Sequence, residues 1–409
     1  MPHNVLVNAE RLSLRLINLA EAGAIPGGGV CRLALTDADK AGRDMVVQWM
    51  HELGLAVSTD AIGNVIGIRA GTEDGPPVMA GSHIDTVATG GRYDGCLGVL
   101  AGLEVIATLN DAGVVTRRPM AVAFFTNEEG SRFQPDMFGS LVYTGAYELD
   151  RALATVGIDG ASVGNELSRI GYAGPAAVGQ PRVHAYVELH IEQWPVLEAE
   201  GFRIGAVEGV QGISWNEFTV SGQSNHAGTT PMRMRHDACY AAAAIAVFAR
   251  RLASDIGGSQ VATAGALTLS PNLINVVADR AVLTIDLRNT ESDRLKEAER
   301  RLFAFVDETA AAEGVAIARR SLARFEPVSF APHLVARVET IAREFGLPVK
   351  RLPSGAGHDA QMLAAVCPAC MIFVPSVNGI SHNIEEFTAP DDLAAGANVL
   401  LRLMLELAE

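Results

Sequence analysis

Four short apolar runs, each leading into a histidine or a carboxylate, constrain this chain more than any other feature. Val78-Met79-Ala80-Gly81 leads into Ser82-His83-Ile84-Asp85, and Ala121-Val122-Ala123-Phe124-Phe125 into Thr126-Asn127-Glu128-Glu129. Tyr186-Val187-Glu188-Leu189 leads into His190, and Met371–Val374 is followed by His382. The runs have strand length, and helix-like stretches separate them, among them Leu97 to Ala112, which stops at Gly113. This rhythm predicts an α/β fold with a mostly parallel sheet. In such sheets ligands bind just beyond the carboxyl ends of the strands, so residues far apart in sequence converge there without a local motif.

From Gly212 the pattern changes. Glu217–Val220, Ala264–Thr268 and Ala281–Leu287 alternate like half-exposed antiparallel strands, with helical stretches at Asp237–Leu252 and Ser292–Glu313. Helix–strand units return at His333–Phe345 and Met371–Val374. The expected organisation is a catalytic domain made of residues 1–211 and 329–409, interrupted at 212–328 by a smaller α+β domain with an antiparallel sheet. A chain of 409 residues, 49% apolar, supplies enough for two cores.

A formal net charge of −15 argues against a nucleic-acid partner, which needs a basic face. The longest uncharged apolar run, Ala238 to Ala249, falls short of the ~18–20 residues of a membrane span. Met1-Pro2-His3-Asn4 and the Glu10, Arg11 and Arg15 that come after it do not resemble a secretory signal, so a cytoplasmic location is expected. Five cysteines are few and odd in number, which predicts free thiols. Cys367-Pro368-Ala369-Cys370 has redox-motif spacing but runs into a strand, and reads as core packing.

The residues gathered at the strand ends are imidazoles and carboxylates without thiolates, a set that suits Zn²⁺, Mn²⁺, Co²⁺ or Ni²⁺ in a catalytic site. The Gly90-Gly91-Arg92-Tyr93-Asp94-Gly95 turn can aim Asp94 back toward His83. With three histidines and several carboxylates, two ions ~3.5–4 Å apart can share one carboxylate, and Asp94 is the natural bridge. Asp85 is placed to accept the second N–H of His83. Of Glu128 and Glu129, one can touch metal and the other water, and spacing alone does not say which. His3, His51, His184, His236 and His333 lack any such context and read as structural or surface residues.

Six motifs in order along the chain carry a resemblance. They are Gly81-Ser82-His83-Ile84-Asp85, Tyr93-Asp94-Gly95, Asn127-Glu128-Glu129-Gly130-Ser131-Arg132-Phe133, His190-Ile191-Glu192-Gln193, His226-Ala227-Gly228-Thr229-Thr230-Pro231 and Ser381-His382-Asn383. Together they resemble the hydantoinase/carbamoylase branch of the M20 metallopeptidase-like amidohydrolases. That branch includes N-carbamoyl-L-amino-acid hydrolases, β-ureidopropionases and allantoate amidohydrolases. The resemblance implies two divalent metal ions per subunit, held by His83, Asp94, Glu129, His190 and His382 with Asp94 bridging, and Glu128 as general base. It also implies that the insertion is a lid and homodimerisation domain whose His226, Asn275 and Arg288 meet the substrate. Gln193, Gly357 and His358 are further pocket elements. One departure is Trp194, where relatives commonly carry glycine; the indole either packs into the lobe or lines the pocket.

The reaction this resemblance implies is hydrolysis of a small carboxylate-bearing ureido substrate to an amino acid, ammonia and carbon dioxide. The ureido carbonyl is deactivated by two nitrogens, so attack on it needs both activation and a base. His226 would donate to the oxyanion, and the planar fork of Arg288 would bind the carboxylate. The competing readings are an allantoate amidohydrolase, an M20-type dipeptidase, and a catalytically inactive binding protein on the same fold.

Overall fold

The four apolar runs form the middle of one sheet. In the computed structural model, which describes residues 5–409, the strands numbered along the chain are β1 (Ala56–Thr59), β2 (Val65–Arg69), β3 (Val78–His83), β4 (Met120–Phe125), β5 (Ala185–Ile191), β6 (Ile204–Val210), β7 (Gly212–Ser221), β8 (Val261–Ser270), β9 (Arg280–Asn289), β10 (Ala316–Phe325), β11 (Val328–Ser329), β12 (Val349–Ser354) and β13 (Ala369–Val374). The chain divides into two compact units. One runs to Gly209 and resumes at Ser329, and the other is Val210–Val328. His3 lies outside the described residues.

The first unit is built on a nine-stranded sheet of order β1-β2-β4-β3-β5-β13-β6-β11, with β12 also paired to β6. β4, β3, β5 and β13 run parallel to one another, while β2 and β6 join antiparallel at either side. Every residue of the four parallel strands is buried, which is why they read as unbroken apolar runs instead of alternating ones. The helix Cys96–Asp111 is buried on nearly all sides, packed against β3 and against the helices Ala9–Ala20 and Pro390–Leu407. Its single buried carboxylate, Glu104, is satisfied by Arg11 at 2.7 Å. Cys367 and Cys370 are buried, and all five cysteines are free thiols.

The second unit is an antiparallel sheet of order β10-β7-β9-β8. β7 and β9 alternate buried and less buried residues, and the buried face packs Phe218, Leu283 and Leu287 against Ile245, Leu252 and Leu302 of the helices Ala238–Ile256 and Ser292–Glu313. Sequence reading missed β10, whose Arg319, Arg320 and Arg324 and mostly exposed positions leave no alternating pattern. Pairing with β7, from Ala316 opposite Ser221 to Phe325 opposite Ile213, defines it instead. At the other edge β8 is exposed along almost its whole length. Among the described residues no helix is long and apolar enough to cross a membrane.

Candidate metal centre

At the carboxyl ends of the parallel strands, His83 closes β3 and His190 is the penultimate residue of β5. The turn after β3 brings Asp94 back to both. Gly95, at φ +64°, makes this possible: a Cβ there would lie 2.3 Å from the His83 ring. Asp94 Oδ1 lies 3.7 Å from His83 Nε2 and 3.2 Å from His190 Nε2. Its other oxygen, Oδ2, lies 3.4 Å from His382 Nε2, which stands 3.2 Å from Glu129 Oε2. One carboxylate therefore faces two donor sets, His83 with His190 on one side and Glu129 with His382 on the other.

The donor atoms fit a metal pair. Bonds of ~2.0–2.2 Å in a tetrahedral site imply ligand atoms about 3.3–3.6 Å apart, close to the separations in both sets. The tautomers agree as well. Nδ1 of His83 faces the Asp85 carbonyl at 2.9 Å, and Nδ1 of His190 faces the Ile191 carbonyl at 2.9 Å. With each Nδ1–H donated to a carbonyl, both Nε2 atoms keep a lone pair for a ligand. The charge balance also asks for a cation. Burial, then Asp359, Glu129, Asp94 and Asp85, push Glu128 well above the usual carboxylate range, and burial and Asp94 raise Glu129. Burial would raise Asp94 too, but hydrogen bonds from His190 and His382 hold it well below its ordinary value. Burial lowers His190, yet Asp94 wins and brings it to about 9; Asp94 and Glu129 raise His382 to about 11. In the protein alone these protons offset the buried carboxylates, and dications would replace them.

Glu128 and Glu129 are held apart by their loop. Asn127, at φ +57°, turns the chain just past β4, and its amide ties to Phe133 O at 2.8 Å. Asn64 clasps the loop's base, accepting from Thr126 N–H at 3.0 Å and donating to Gly139 O at 3.0 Å. Glu128 Oε2 then lies 3.4 Å from His83 Nε2, on the other donor set from Glu129. Asp85 differs from expectation. Its main-chain carbonyl, not its carboxylate, receives His83 Nδ1; the carboxylate accepts the N–H groups of Glu128 and Glu129 at 3.2 and 3.3 Å. Two positions past the last residue of β3, the chain turns the Asp85 carbonyl back to the His83 ring, and the side chain reaches the neighbouring loop.

A cavity of about 120 Å³ opens on this centre, lined by Asp94, Glu128, Glu129, Asp136, Gln193, Ala356, Gly357, His358 and His382. Gln193 Nε2 donates to Asp94 Oδ2 at 2.9 Å, while its Oε1 is buried with no hydrogen-bond partner. His358 is buried with its ring centroid 4.5 Å from that of His190, and burial together with His190 keeps it well below the usual imidazole range, hence neutral. A larger hollow of about 520 Å³ between Pro76, Tyr143 and Arg182 gathers no such set of imidazoles and carboxylates.

Two residues support Asp94: Glu386, which the sequence does not single out, and Ser381, which stands in the His382 motif without an assigned role. Glu386 Oε1 accepts the N–H groups of Tyr93 and Asp94 at 2.9 and 3.2 Å, and Ser381 Oγ stands 2.9 Å from Asp94 Oδ2 and 3.2 Å from Glu386 Oε2. The available signal was a second Glu-Glu pair, Glu385-Glu386, just after His382. Glu192, inside the His190 motif, instead caps the helix Val196–Glu200 through Leu197 N–H at 3.0 Å.

In the second unit His226 and Asn275 come together. His226 bridges to Val276, and Ala227 N–H donates to Asn275 O at 2.9 Å. Gly228 N–H donates to His226 Nδ1 at 3.0 Å, which leaves Nε2 as the nitrogen able to donate. Arg288 is not with them. It lies eight residues along β9 from Arg280, about 26 Å at strand rise, while the His226 segment continues from the Arg280 end. There Arg288 Nε donates to the Asp286 carboxylate at 3.0 Å.

Comparison with known proteins extends these observations. Residues 79–406 match Peptidase family M20/M25/M40. The chain is similar to an N-carbamoyl-L-amino-acid amidohydrolase of Rhizobium meliloti, 42% identical over 407 residues that cover 99% of this chain and 98% of the relative. It is also similar to an allantoate amidohydrolase of Bacillus subtilis, 34% identical over 393 residues, 95% of each chain. Among solved structures, an amidase of the hydantoinase/carbamoylase family from Burkholderia multivorans superposes with TM-score 0.96 at 46% identity, covering 99% of this chain and 98% of that one.

Proposed function

We propose that this chain, which belongs to Peptidase family M20/M25/M40, hydrolyses the ureido C–N bond of an N-carbamoyl amino acid, either an L-α-amino acid or β-alanine. It is a hydrolase acting on amides, and its family is metal dependent. The observation that carries the reading is Asp94, with each carboxylate oxygen turned to a separate histidine-containing donor set. Two divalent ions per subunit, of Zn, Mn, Co or Ni, suit these donors. A ureido substrate is supported by the Rhizobium relative, which aligns over nearly the whole of both chains.

Ions held by His83, Asp94, Glu129, His190 and His382 would supply Lewis acidity to the scissile carbonyl and to the attacking water. Glu128 accepts the water's proton and returns it to the leaving nitrogen. The orphan Oε1 of Gln193 accepts a ureido N–H, which removes its unsatisfied burial. Neutral His358 and the Gly357 backbone close the wall beside the reacting group. His226 donates its Nε2–H to the developing oxyanion, as its tautomer permits. One water is consumed, and the products are the amino acid, ammonia and carbon dioxide.

Arg288 reads the substrate carboxylate with its planar fork, exchanging Asp286 for substrate. Arg288→Lys is expected to raise KM at least about tenfold, because an ammonium keeps the charge but not the bidentate geometry. Equal KM values in wild type and variant would assign Arg288 to structure alone.

A substrate of this size cannot span β9, so His226 and Arg288 of one chain do not grip the same molecule. We assign them to the two sites of a homodimer formed through the second unit, with the exposed edge strand β8 as the pairing element. Glu128→Gln and His226→Ala chains, refolded together, should recover about a quarter of wild-type activity, since half the dimers are mixed and each has one intact site. Inactive mixed dimers would place His226 on its own subunit's substrate. Five free thiols fit a cytoplasmic location.

The test of the reaction is ammonia release from N-carbamoyl-L-amino acids, N-carbamoyl-β-alanine and allantoate. Turnover of an N-carbamoyl amino acid well above allantoate supports the proposal. The reverse order would make the chain an allantoate amidohydrolase, as the Bacillus relative is named.

A further inference from the structure

The cavity wall formed by Ala356, Gly357 and His358 is gripped from two sides. A Cβ on Gly355 would fall 2.0 Å from Cζ2 and 2.5 Å from Cε2 of Trp194, and one on Gly357 would fall 2.9 Å from Cε of Met137. Only glycines let the turn fit between an indole and a thioether at such distances. Trp194 is half-buried and is not among the described residues that line the cavity, so it stands behind the wall.

The indole is itself held in place. Gly379 lies so close that a Cβ there would meet Pro195 N at 2.6 Å and Trp194 C at 2.9 Å. On the other side of Trp194 in sequence, Gln193 N–H donates to Ser376 Oγ at 3.0 Å. With the main chain fixed at both neighbours, Trp194 has little freedom to retreat when something presses on Gly355. The cavity it backs measures about 120 Å³. That is below the ~300–1,000 Å³ of ordinary small-molecule sites.

We propose that Trp194 sets the upper size limit of the substrate, confining the enzyme to N-carbamoyl amino acids with small side chains. The inference rests on the ureido-hydrolysis reading and deepens it. A larger side chain must push the Gly355–Gly357 turn outward, and the turn meets a ring already in contact with its backbone. Removing the ring gives the turn room to move. Trp194 is thus a positioning residue: it acts on substrate choice through the turn, without touching the reacting atoms.

The experiment compares wild type, Trp194→Ala and the milder Trp194→Leu on N-carbamoylglycine, N-carbamoyl-L-alanine, N-carbamoyl-L-leucine and N-carbamoyl-L-phenylalanine. Metal content and thermal unfolding are measured on the same samples; if the alanine variant does not fold, the leucine variant decides. Wild type is expected to favour glycine and alanine. Each variant should raise the leucine-to-glycine ratio of kcat/KM by at least about tenfold, the lower end of what a hydrophobic pocket discriminates per methylene. The gain should come mainly through KM. A wild type that prefers the large substrates, or a variant that changes all four by one factor, overturns the inference and leaves the ureido reading standing. No ammonia from any of the four with wild type overturns that reading, and the inference with it.

Discussion

Glu128→Gln is expected to keep the protein's metal and lose its turnover, with kcat lower by about 10²–10⁴, the usual worth of general acid–base catalysis. The glutamine is isosteric, so the Glu128 loop keeps its shape. Its fixed points are elsewhere: Asp85 holds the main-chain N–H groups of Glu128 and Glu129, and Asn64 clasps the loop's base. Glu128 is buried beside the His83 set, with its carboxyl raised well above the usual range first by burial and then by neighbouring carboxylates. A group so placed has a high proton affinity and lies beside the reaction, which suits a base that must return its proton. Elemental analysis and single-turnover kinetics on one preparation check both halves. Loss of metal with turnover per remaining ion unchanged would mean that Glu128 is a ligand and Glu129 the base.

Asp94→Ala is expected to empty both halves of the centre at once. The two donor sets share no other residue, so a single substitution that lowers both occupancies is the signature of a bridge. Replacing a residue that merely supports a ligand already costs about 10–100-fold in metal affinity. Removing the bridging carboxylate should exceed that at each position, taking metal content from near two ions per chain to near none. Activity should fall below detection while the fold survives, since the buried strands do not depend on Asp94. Inductively coupled plasma analysis with circular dichroism is the check. One ion retained at full affinity would show two independent sites.

How far the sequence spoke for itself differs from residue to residue. His83, His190 and the Glu128-Glu129 pair were legible because the strands before them are buried on both faces and therefore unbroken in apolarity. Asp94 was legible through the glycines around it, one of which has no room for a Cβ against His83. His382 was not placed by spacing. It follows the fourth apolar run only at a distance, on a loop well past β13 at φ +54°, and the resemblance of Ser381-His382-Asn383 is what implied a ligand there. The same loop hid Glu386 and the role of Ser381, because a residue that holds a ligand by hydrogen bonds leaves no periodic trace. The sequence suggests the Asp85 carboxylate as the partner of His83, but the fold of the loop puts the Asp85 carbonyl in that place. β10 was invisible since its pattern comes from exposure on both faces, and a strand with no buried face does not alternate. Trp194 was open between packing and pocket, and its contact with Gly355 puts it behind the wall.

The central claim is that metal ions at the Asp94 centre drive hydrolysis of a ureido bond. Its most direct measurement is ammonia release from an N-carbamoyl amino acid by one preparation, first as purified, then stripped by chelator, then reloaded with a stated divalent ion, with metal content determined at each step. Activity should vanish on stripping and return in proportion to metal, reaching its full value near two ions per chain. Undiminished ammonia release from protein shown to be free of metal would contradict the account.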